Sequence, residues 1–531
     1  MQRVRPRRLP TTLCAFALTA VAGCHAPGPE QPNGGSSSTS EGRATEGTAG
    51  TTGANDSSGE AGAESTASDS STSAGSDGSE SDGSSDATDG GSDTGAVDPC
   101  DPPPLDAVDA CVTRADEDCD GVPAACSGAL VAAWKFGGYA PDGFDAFAVT
   151  PQGGLLVGGS SQSFDNDFGD GVVVNNYSDT AYVARYDGDF GVAWATSIGD
   201  GGFEDIAANI TGVAAVGDAT AIAGGHDATE PLVLLGEVPP GAFVGLLDGD
   251  GVPQWMAHVA MQGCGPTTLV RLADDSLLVA GCSLGQPGFE GPAAFDPDAP
   301  TIWLARFDGD GDLRFGRVLG DAATGAAPPQ LVALPDGGYG VAARFAGPVD
   351  MISEQLPAPP ADGGYLLRVD ADDVLVHAAG FVASGGTWLQ LAGHGDELLL
   401  GTDADVDYGD GFASAPWSIA RFDDTGLVDI ADFEDAASHF AVDDAGAVVL
   451  AGVEGEQAWV RKYDPSGRTL WTATIDGAHE GPRSLWLRAL GVDAQLRISL
   501  VGSFYPTVSI EGAVVTSSSL AADHFVIVLE Q

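Results

Sequence analysis

Positive charge is the scarcest feature of this sequence. Its 531 residues include 21 lysines and arginines against 77 aspartates and glutamates, which gives a formal net charge of −56. So acidic a surface repels nucleic acid and anionic lipid headgroups, and we therefore exclude both as direct partners of the folded part. The acidic excess keeps a protein soluble; attraction of cations is the alternative role.

Motifs that would indicate catalysis are also scarce. The sequence has neither an H-E-x-x-H pattern nor a Gly-rich phosphate-binding loop, and we expect no serine-nucleophile elbow. Paired carboxylates are too widespread to indicate glycosidase chemistry. We predict that the protein is not an enzyme, that it has no catalytic residues, and that it binds no cofactor other than, at most, calcium.

Residues 1–23 have the layout of an export signal. Four arginines within residues 3–8 precede a short apolar run at 11–22, which is too short to span a bilayer comfortably. The stretch "VAGC" that ends at Cys24 resembles the lipobox of bacterial lipoproteins. That resemblance implies cleavage before Cys24, a lipid anchor on its thiol, and a place in the bacterial cell envelope. An outer-membrane lipoprotein, periplasmic or surface-exposed, is expected; ordinary secretory cleavage is the alternative.

A tether and a cysteine-rich segment follow. Residues 24–99 are mostly Ser, Gly, Thr, Ala, Asp and Glu, which cannot bury enough apolar surface to offset the entropy of ordering, so we expect disorder. Four cysteines then lie close together within residues 100–128. In an exported protein they favour two disulfides, whose pairing the sequence leaves open, over zinc, because no C-x-x-C pair is present. These cysteines are Cys100, Cys111, Cys119 and Cys126.

Two further features invite a chemical interpretation. The stretch "ADEDCDG" at 115–121 resembles the D-x-D-C-D-G segments of secreted bacterial proteins, and the resemblance implies that Asp116, Asp118 and Asp120 could bind calcium. No acidic residue follows where a bidentate ligand would be needed, so a structural, disulfide-stapled segment is the competing interpretation. Cys264 and Cys282 are predicted to form a disulfide within one repeat, since neither has a basic neighbour that would lower its thiol pKa.

Residues 129–531 contain seven sequence repeats, and repeats of this length decide the fold. In each repeat, a strand of alternating apolar residues ends in an Asp/Gly turn, as in "IWLARFDGDGD" at 302–312. A returning strand follows the turn and forms a hairpin with the first. A second hairpin, such as "TTLVRLADDSLLVAGCS" at 267–283, completes the unit. Where one repeat has "DGDGD", others have "DGDFG", "DDTGL" and "DPSGR". Because a ligand set cannot lose its oxygens and still bind, these are turns and not calcium loops.

Four antiparallel strands repeated seven times predict an all-β, seven-bladed β-propeller. The strand at 131–136 has no blade of its own, and the last repeat, which ends with the strand at 524–530, lacks its fourth strand. Pairing of these two segments would close the ring and remove two exposed sheet edges. Two repeats depart from the pattern: "GLVDIADF" lacks the usual aromatic residue, and the sixth repeat has almost no linking loop.

The units resemble the seven-bladed β-propeller repeats of secreted bacterial proteins, through "DAFAVTPQGGLLVGGS", "FDNDFG" and "AYVARYDGDFGVAW". Such repeats occur in proteins of many roles, so the resemblance implies architecture only. We expect a monomeric, lipid-anchored binding or scaffolding module that meets a protein or glycan at one propeller face. An envelope enzyme, such as a polysaccharide lyase, hydrolase or quinoprotein, is one alternative; it requires polar groups from several blades to meet at the channel mouth. An adhesion protein is the other.

Overall fold

The fold comes from a computed structural model, which describes residues 127–140, 142–174, 180–199, 208–226, 232–233, 237–260, 267–284, 300–323, 328–351, 354–360, 363–383, 389–403, 405–409, 411–413, 416–477, 485–517 and 522–530. The predicted signal peptide, tether and cysteine-rich segment lie outside these residues. So do Cys24, Cys264, the four clustered cysteines and Asp116, Asp118 and Asp120. Within the described ranges, no helix has the length and apolar character needed to cross a membrane.

Seven four-stranded antiparallel sheets form the blades of a ring, as the repeats predict. The strands of blades 1 to 4 are β2 (Asp142–Val149), β3 (Leu155–Ser161), β6 (Thr180–Tyr186) and β7 (Val192–Ile198); β8 (Ala208–Val216), β9 (Ala219–His226), β12 (Gly241–Leu247) and β13 (Pro253–Ala260); β14 (Thr268–Arg271), β15 (Leu277–Leu284), β16 (Pro300–Phe307) and β17 (Leu313–Asp321); and β18 (Gln330–Ala333), β19 (Tyr339–Arg344), β22 (Gly363–Val369) and β23 (Leu375–Ala383).

Blades 5 to 7 follow the same plan. Their strands are β24 (Leu389–His394), β25 (Glu397–Thr402), β28 (Trp417–Asp423) and β29 (Gly426–Phe433); β30 (His439–Val442), β31 (Val448–Glu454), β32 (Gln457–Tyr463) and β33 (Thr469–Gly477); and β34 (Leu485–Val492), β35 (Ile498–Phe504), β38 (Asp523–Leu529) and β1 (Leu130–Phe136). In each blade the first strand is innermost. Two turns of each blade, between strands one and two and between strands three and four, lie at one end of the ring, which we call the turn face. We call the opposite end the linker face.

Short hairpins connect the second and third strands of five blades at the linker face. They are β4 (Asn166–Asp167) with β5 (Val173–Val174), β10 (Leu232–Val233) with β11 (Glu237–Val238), β20 (Val349–Asp350) with β21 (Gln355–Leu356), β26 (Val406–Asp407) with β27 (Phe412–Ala413), and β36 (Thr507–Ile510) with β37 (Ala513–Thr516). Blade 6 has no such hairpin, because Gly455 and Glu456 alone join β31 to β32. The short link that the sequence predicts is confirmed.

The predicted ring closure is also confirmed. Strand β1 pairs antiparallel with β38, and Trp134 lies opposite Val526. The N-proximal strand thereby supplies the outermost strand of blade 7, whose other three strands come from the C-terminal end of the chain. Two sheet edges are removed by one backbone ladder.

The hydrophobic core consists of layers between neighbouring blades and not of one central mass. Each cluster of buried side chains draws its members from two adjacent blades, for all seven junctions. At the closing junction, Phe136 of β1 is buried beside Phe144 of blade 1 and Val526 of blade 7. Because each blade buries both faces, the strands carry the small and branched apolar residues seen in the sequence.

The Asp-rich stretches are turns, as the comparison of repeats predicts. In "DGDGD", Oδ1 of Asp308 accepts hydrogen bonds from the backbone N–H groups of Asp310 (3.1 Å) and Asp312 (3.0 Å). The equivalent aspartates Asp187, Asp248, Asp370 and Asp464 bond their own turns in the same way. The first carboxylate of each turn therefore satisfies backbone donors.

In two of these turns, those of Asp308 and Asp248, the glycine has a second role that the sequence did not reveal. Gly311 has a φ of +86°, and a side chain there would also collide with the ring of Trp255 from the preceding blade. Trp194 packs in the same way against Gly251, and Trp471 against Gly128. Trp134 lies two residues further along its strand than these tryptophans do. It packs instead on Tyr186 and Phe190, at ring separations of 5.2 and 5.6 Å.

Replacement of Phe136 by alanine tests whether the closing junction carries stability. Phe136 is 1% exposed, so Phe136→Ala leaves a cavity between blades 7 and 1, and we expect the free energy of unfolding to fall by about 3–5 kcal/mol. The measurement is a urea titration followed by tryptophan fluorescence. Tyr139→Ala, which removes an exposed ring close by, is the control. Equal losses from the two variants would contradict a stabilising closure.

Candidate functional site

The central channel is the cavity to which every blade contributes. It is lined by residues of the seven innermost strands β2, β8, β14, β18, β24, β30 and β34, and encloses about 390 Å³. Toward the linker face it opens into a mouth of about 540 Å³, which Phe144, Thr267, Asp403 and Leu487 help to line. Polar and charged side chains from several blades meet there, which is the condition that the enzyme alternative sets.

β-Bulges aim three of these side chains into the channel. The pairing registers of β2, β8 and β34 shift at Asp145, Thr211 and Arg488, respectively. A bulge places one extra residue on one strand and redirects its side chain. All three residues line the channel, and Asp145 and Arg488 are exposed to it.

Most of the other polar groups form a belt of hydrogen bonds between neighbouring blades. Asn209 donates to Asp145 (3.0 Å), and Thr211 and Thr267 share a bond of 2.7 Å. The amide of Gln390 bonds the backbone of blade 6 twice, at the Ser438 carbonyl (3.1 Å) and the Phe440 N–H (2.8 Å). These bonds fix the spacing of the innermost strands, so the mouth is a rigid opening.

Arg488 carries a positive charge into the mouth, and its guanidinium is not used in this belt of hydrogen bonds. Its Nε lies 3.4 Å from the Ser503 hydroxyl, and it forms no ion pair with any described residue. Most arginines in the described ranges do form one: Arg306 and Arg317, for example, each lie close to an aspartate. An arginine whose guanidinium keeps free donors suits an anionic or bidentate acceptor group.

His439 lies beside Arg488 but is not available for proton transfer. Its Nδ1 is 2.9 Å from the Ser438 hydroxyl, and its ring is also hydrogen-bonded to the backbone of Arg488. Burial is the main cause that lowers its pKa to about 4, and the positive charge of Arg488 adds to the decrease. The imidazole is therefore neutral at physiological pH, and it joins blade 6 to blade 7.

His524 plays the same part where the ring closes. Its Nδ1 lies 3.0 Å from the Ser503 hydroxyl, and its Nε2 lies 3.1 Å from the carbonyl oxygen of Asp142 in blade 1. Burial lowers the pKa of His524 to about 4 as well. Nearby, burial raises the pKa of the Asp142 carboxyl, although Ser161, Ser163 and the Gly138 N–H hydrogen-bond to it.

The sequence-predicted sites contribute little to this mouth. Cys282 lies in β15 and is disulfide-bonded, whereas Cys264, its predicted partner, is outside the described residues, so the pairing stays a prediction. Calcium binding by Asp116, Asp118 and Asp120 and lipidation of Cys24 also stay predictions. No signal in the repeats pointed to Arg488, because an inserted residue in one strand resembles ordinary variation between repeats.

One motif was overlooked in the sequence. The stretch "GCSLG" at 281–285 matches the G-x-S-x-G pattern of serine hydrolases. Ser283, however, lies within β15, is 1% exposed, and faces Thr301 of the neighbouring strand, with 3.3 Å between the hydroxyl oxygens. A nucleophile elbow needs its serine exposed on a sharp turn from strand to helix. The match therefore does not indicate a catalytic serine.

Two of the buried histidines, His439 and His524, predict a loss of stability in mild acid. The pKa of each is about 4 in the folded protein and about 6.5 when unfolded, so the unfolded chain binds more protons between these values. The contribution of the two histidines to the free energy of unfolding is complete above about pH 6.5. It falls by ~1.4 kcal/mol per pH unit for each histidine as the pH drops toward 4.

Comparison of the wild type with His524→Gln isolates this effect, because the many carboxylates titrate in both proteins. We expect the difference in unfolding free energy to be largest at pH 7 and to shrink steadily toward pH 4.5, measured by urea titration at each pH. A difference that is constant over this range would show that His524 is not held neutral by the fold.

Comparisons with known proteins found remote structural likeness alone. No family model matches the sequence, and no curated protein matches it. Similar solved structures include the polysaccharide lyase Uly1 (12% identity, 74% of this chain and 92% of that one, TM-score 0.39) and a prolyl endopeptidase (13%, 72% and 50%, 0.40). A Bacteroides caccae protein of unknown function also matches (13%, 55% and 89%, 0.32). Likeness at this level carries no argument about function.

Proposed function

We propose that this protein is a binding module of the bacterial cell envelope, and that its ligand enters the linker-face mouth of the channel and places an anionic group against Arg488. The observation that carries the proposal is the guanidinium of Arg488: it is exposed in the mouth and pairs with no described carboxylate, in a chain with 77 acidic residues. Such a donor attracts an anion from solution.

The surroundings of Arg488 favour a glycan that carries a carboxylate. Thr211, Thr268 and Gln330, from blades 2 to 4, line the same mouth, and hydroxyl and amide groups can donate to and accept from sugar hydroxyls. Asp145, on the neighbouring blade, adds an acceptor for sugar hydroxyls. A protein partner would instead need a large apolar centre in the contact surface.

Binding is favoured over catalysis by the state of the polar groups. Polar side chains from several blades do meet at the mouth, as the enzyme alternative requires. The histidine among them, His439, uses its ring in hydrogen bonds, and burial lowers its pKa to about 4, so it is a weak proton acceptor and a poor general base at neutral pH. Arg488 and Asp145, together with the hydroxyl and amide groups of the mouth, offer recognition of charge and of sugar hydroxyls.

Substitution of Arg488 tests the proposed ligand class. We expect the full chain to bind oligogalacturonate more tightly than its methyl-esterified form, since only the former can pair with the guanidinium. Arg488→Gln should weaken binding of the acidic form by roughly tenfold or more, which corresponds to one charge-assisted hydrogen bond. Isothermal titration calorimetry at low salt measures both.

The control is Arg185→Gln. Arg185 bonds the carbonyls of Gly217 and Asp218 between blades 1 and 2, away from the mouth, and its loss removes the same charge. Equal affinity for the two glycans, or equal effects of the two variants, would contradict the proposal. Tighter binding of an acidic peptide than of either glycan would reassign the ligand class.

We further propose that Cys24 carries the lipid that anchors the protein and that residues 24–99 hold the propeller away from the membrane. The support comes from the sequence: a basic start, a short apolar run and "VAGC". Cys24→Ala should move the protein from the detergent phase to the aqueous phase of a detergent partition. Cys14→Ala, within the signal, is the control and should leave the distribution unchanged; an unchanged distribution for Cys24→Ala would contradict the anchor.

A further inference from the structure

The segment that links strands two and three of a blade also extends the sheet of the preceding blade. At the linker face, β26 pairs antiparallel with the end of β23, and β36 pairs with the end of β33. Gly137, after β1, forms a bridge with Asp167 of blade 1, and Ala322, after β17, forms one with Phe345 of blade 4. At four junctions, therefore, the outermost strand has its outer edge paired near its C-terminal end.

The junction between blades 5 and 6 departs from this arrangement. Blade 6 has only Gly455 and Glu456 between β31 and β32, so it sends no strand back to β29. The pairing registers of strands three and four show which residues are affected. Val382 and Ala383 in blade 4, and Asp476 and Gly477 in blade 6, are paired by a linking strand. In blade 5 their counterparts are Glu434 and Asp435.

Among the described residues, the outer edge of β29 pairs with nothing, and strand geometry ends at Phe433, one residue before Glu434. Glu434 and Ala436 are exposed, while Phe433 is buried beneath them. The side chain of Asp435 turns inward and forms an ion pair with Arg461 of blade 6. The result is a gap in the rim, with the buried Phe433 as its floor, where no described strand pairs with β29 and the Asp435 carbonyl accepts the N–H of Ala437 (3.0 Å). We call this gap the blade 5 notch (Asp432–Ala436).

We propose that the blade 5 notch binds an extended basic segment of a partner protein, which adds to β29 as an antiparallel strand. The chain itself shows what fits there: at the equivalent positions, a short antiparallel strand supplies the missing hydrogen bonds. The notch is bordered by the exposed acids Asp432, Glu434 and Glu454. Lysine or arginine at alternate positions of the incoming strand would lie opposite these carboxylates.

The same charges argue against two other occupants. A second copy of this chain would bring Asp432 and Glu434 against themselves, and like charges on facing strands are destabilising. The segment at 24–99 carries acidic residues and a single basic residue, Arg43, so it would be repelled as well. The inference goes beyond the proposed glycan site, because the notch lies on the outer rim and the glycan site in the channel.

The test uses the full chain and a labelled peptide that alternates lysine and valine, followed by fluorescence polarisation. The matched probe is the same peptide with N-methyl groups on alternate backbone nitrogens, which keeps its charge and removes its strand-forming donors. We expect the unmodified peptide to bind at least about tenfold more tightly. Equal affinity would overturn the proposal, because it would mean that the peptide only responds to the overall negative charge.

Two variants locate the binding. Insertion of the β36–β37 hairpin (Thr507–Thr516) between Gly455 and Glu456 fills the notch and should abolish the difference between the two peptides. Glu434→Lys leaves the backbone intact and should weaken binding of the unmodified peptide about tenfold, whereas Asp424→Lys, at the opposite end of the same hairpin, should change it less than about twofold. Equal effects of the two lysine variants, or dimerisation of the wild-type chain in sedimentation analysis, would overturn the proposal.

Discussion

The backbone ladder between β1 and β38 is the constraint on which this molecule depends. Each blade buries its two faces only against its neighbours, so an open array would leave two apolar faces in water. Closure buries Phe136, Phe144 and Val526 together and also creates the channel, since the seven innermost strands surround a cavity only when the ring is complete. Because β1 comes from the N-proximal part of the chain and completes blade 7, the ring closes as the chain folds.

Negative charge is distributed in a way that this architecture explains. In blades 1 to 6 the hairpin of strands three and four turns at an aspartate whose carboxylate accepts backbone N–H groups of its own turn, as Asp308 does. In blades 2 and 3 the glycine of this turn packs against a tryptophan of the preceding blade, as Gly311 does against Trp255. The acidic turns therefore help to hold neighbouring blades together. Much of the acidic excess at the turn face follows from turn chemistry repeated around the ring, and needs no bound cation.

The fold could be predicted from the sequence because its determinants are local. Alternation of apolar residues, Asp/Gly turns and an unpaired strand at each end specify hairpins, their number and the closure. The candidate site could not be predicted from the sequence, because its residues depart from the repeat pattern. Arg488, Asp145 and Thr211 sit at bulges, where a single extra residue turns a side chain into the channel, and a repeat pattern averages such residues away. The G-x-S-x-G match at Ser283 shows the reverse, since a local pattern without its turn has no chemical meaning.

In a ring of nearly equivalent blades, specific recognition can arise where a blade departs from the repeat. A departure that lowers stability is a better candidate for such a site than one that has no energetic effect. In a strongly acidic chain, an arginine that pairs with no described carboxylate lacks a stabilising ion pair. A strand edge without a partner can pair with a strand of another molecule. Both departures occur here, at Arg488 and at Glu434. They lie in different environments, one inside the channel and one on the rim, so the scaffold can offer two surfaces of unlike chemistry: a channel mouth with a guanidinium donor for an anionic group, and an acidic edge for a basic strand.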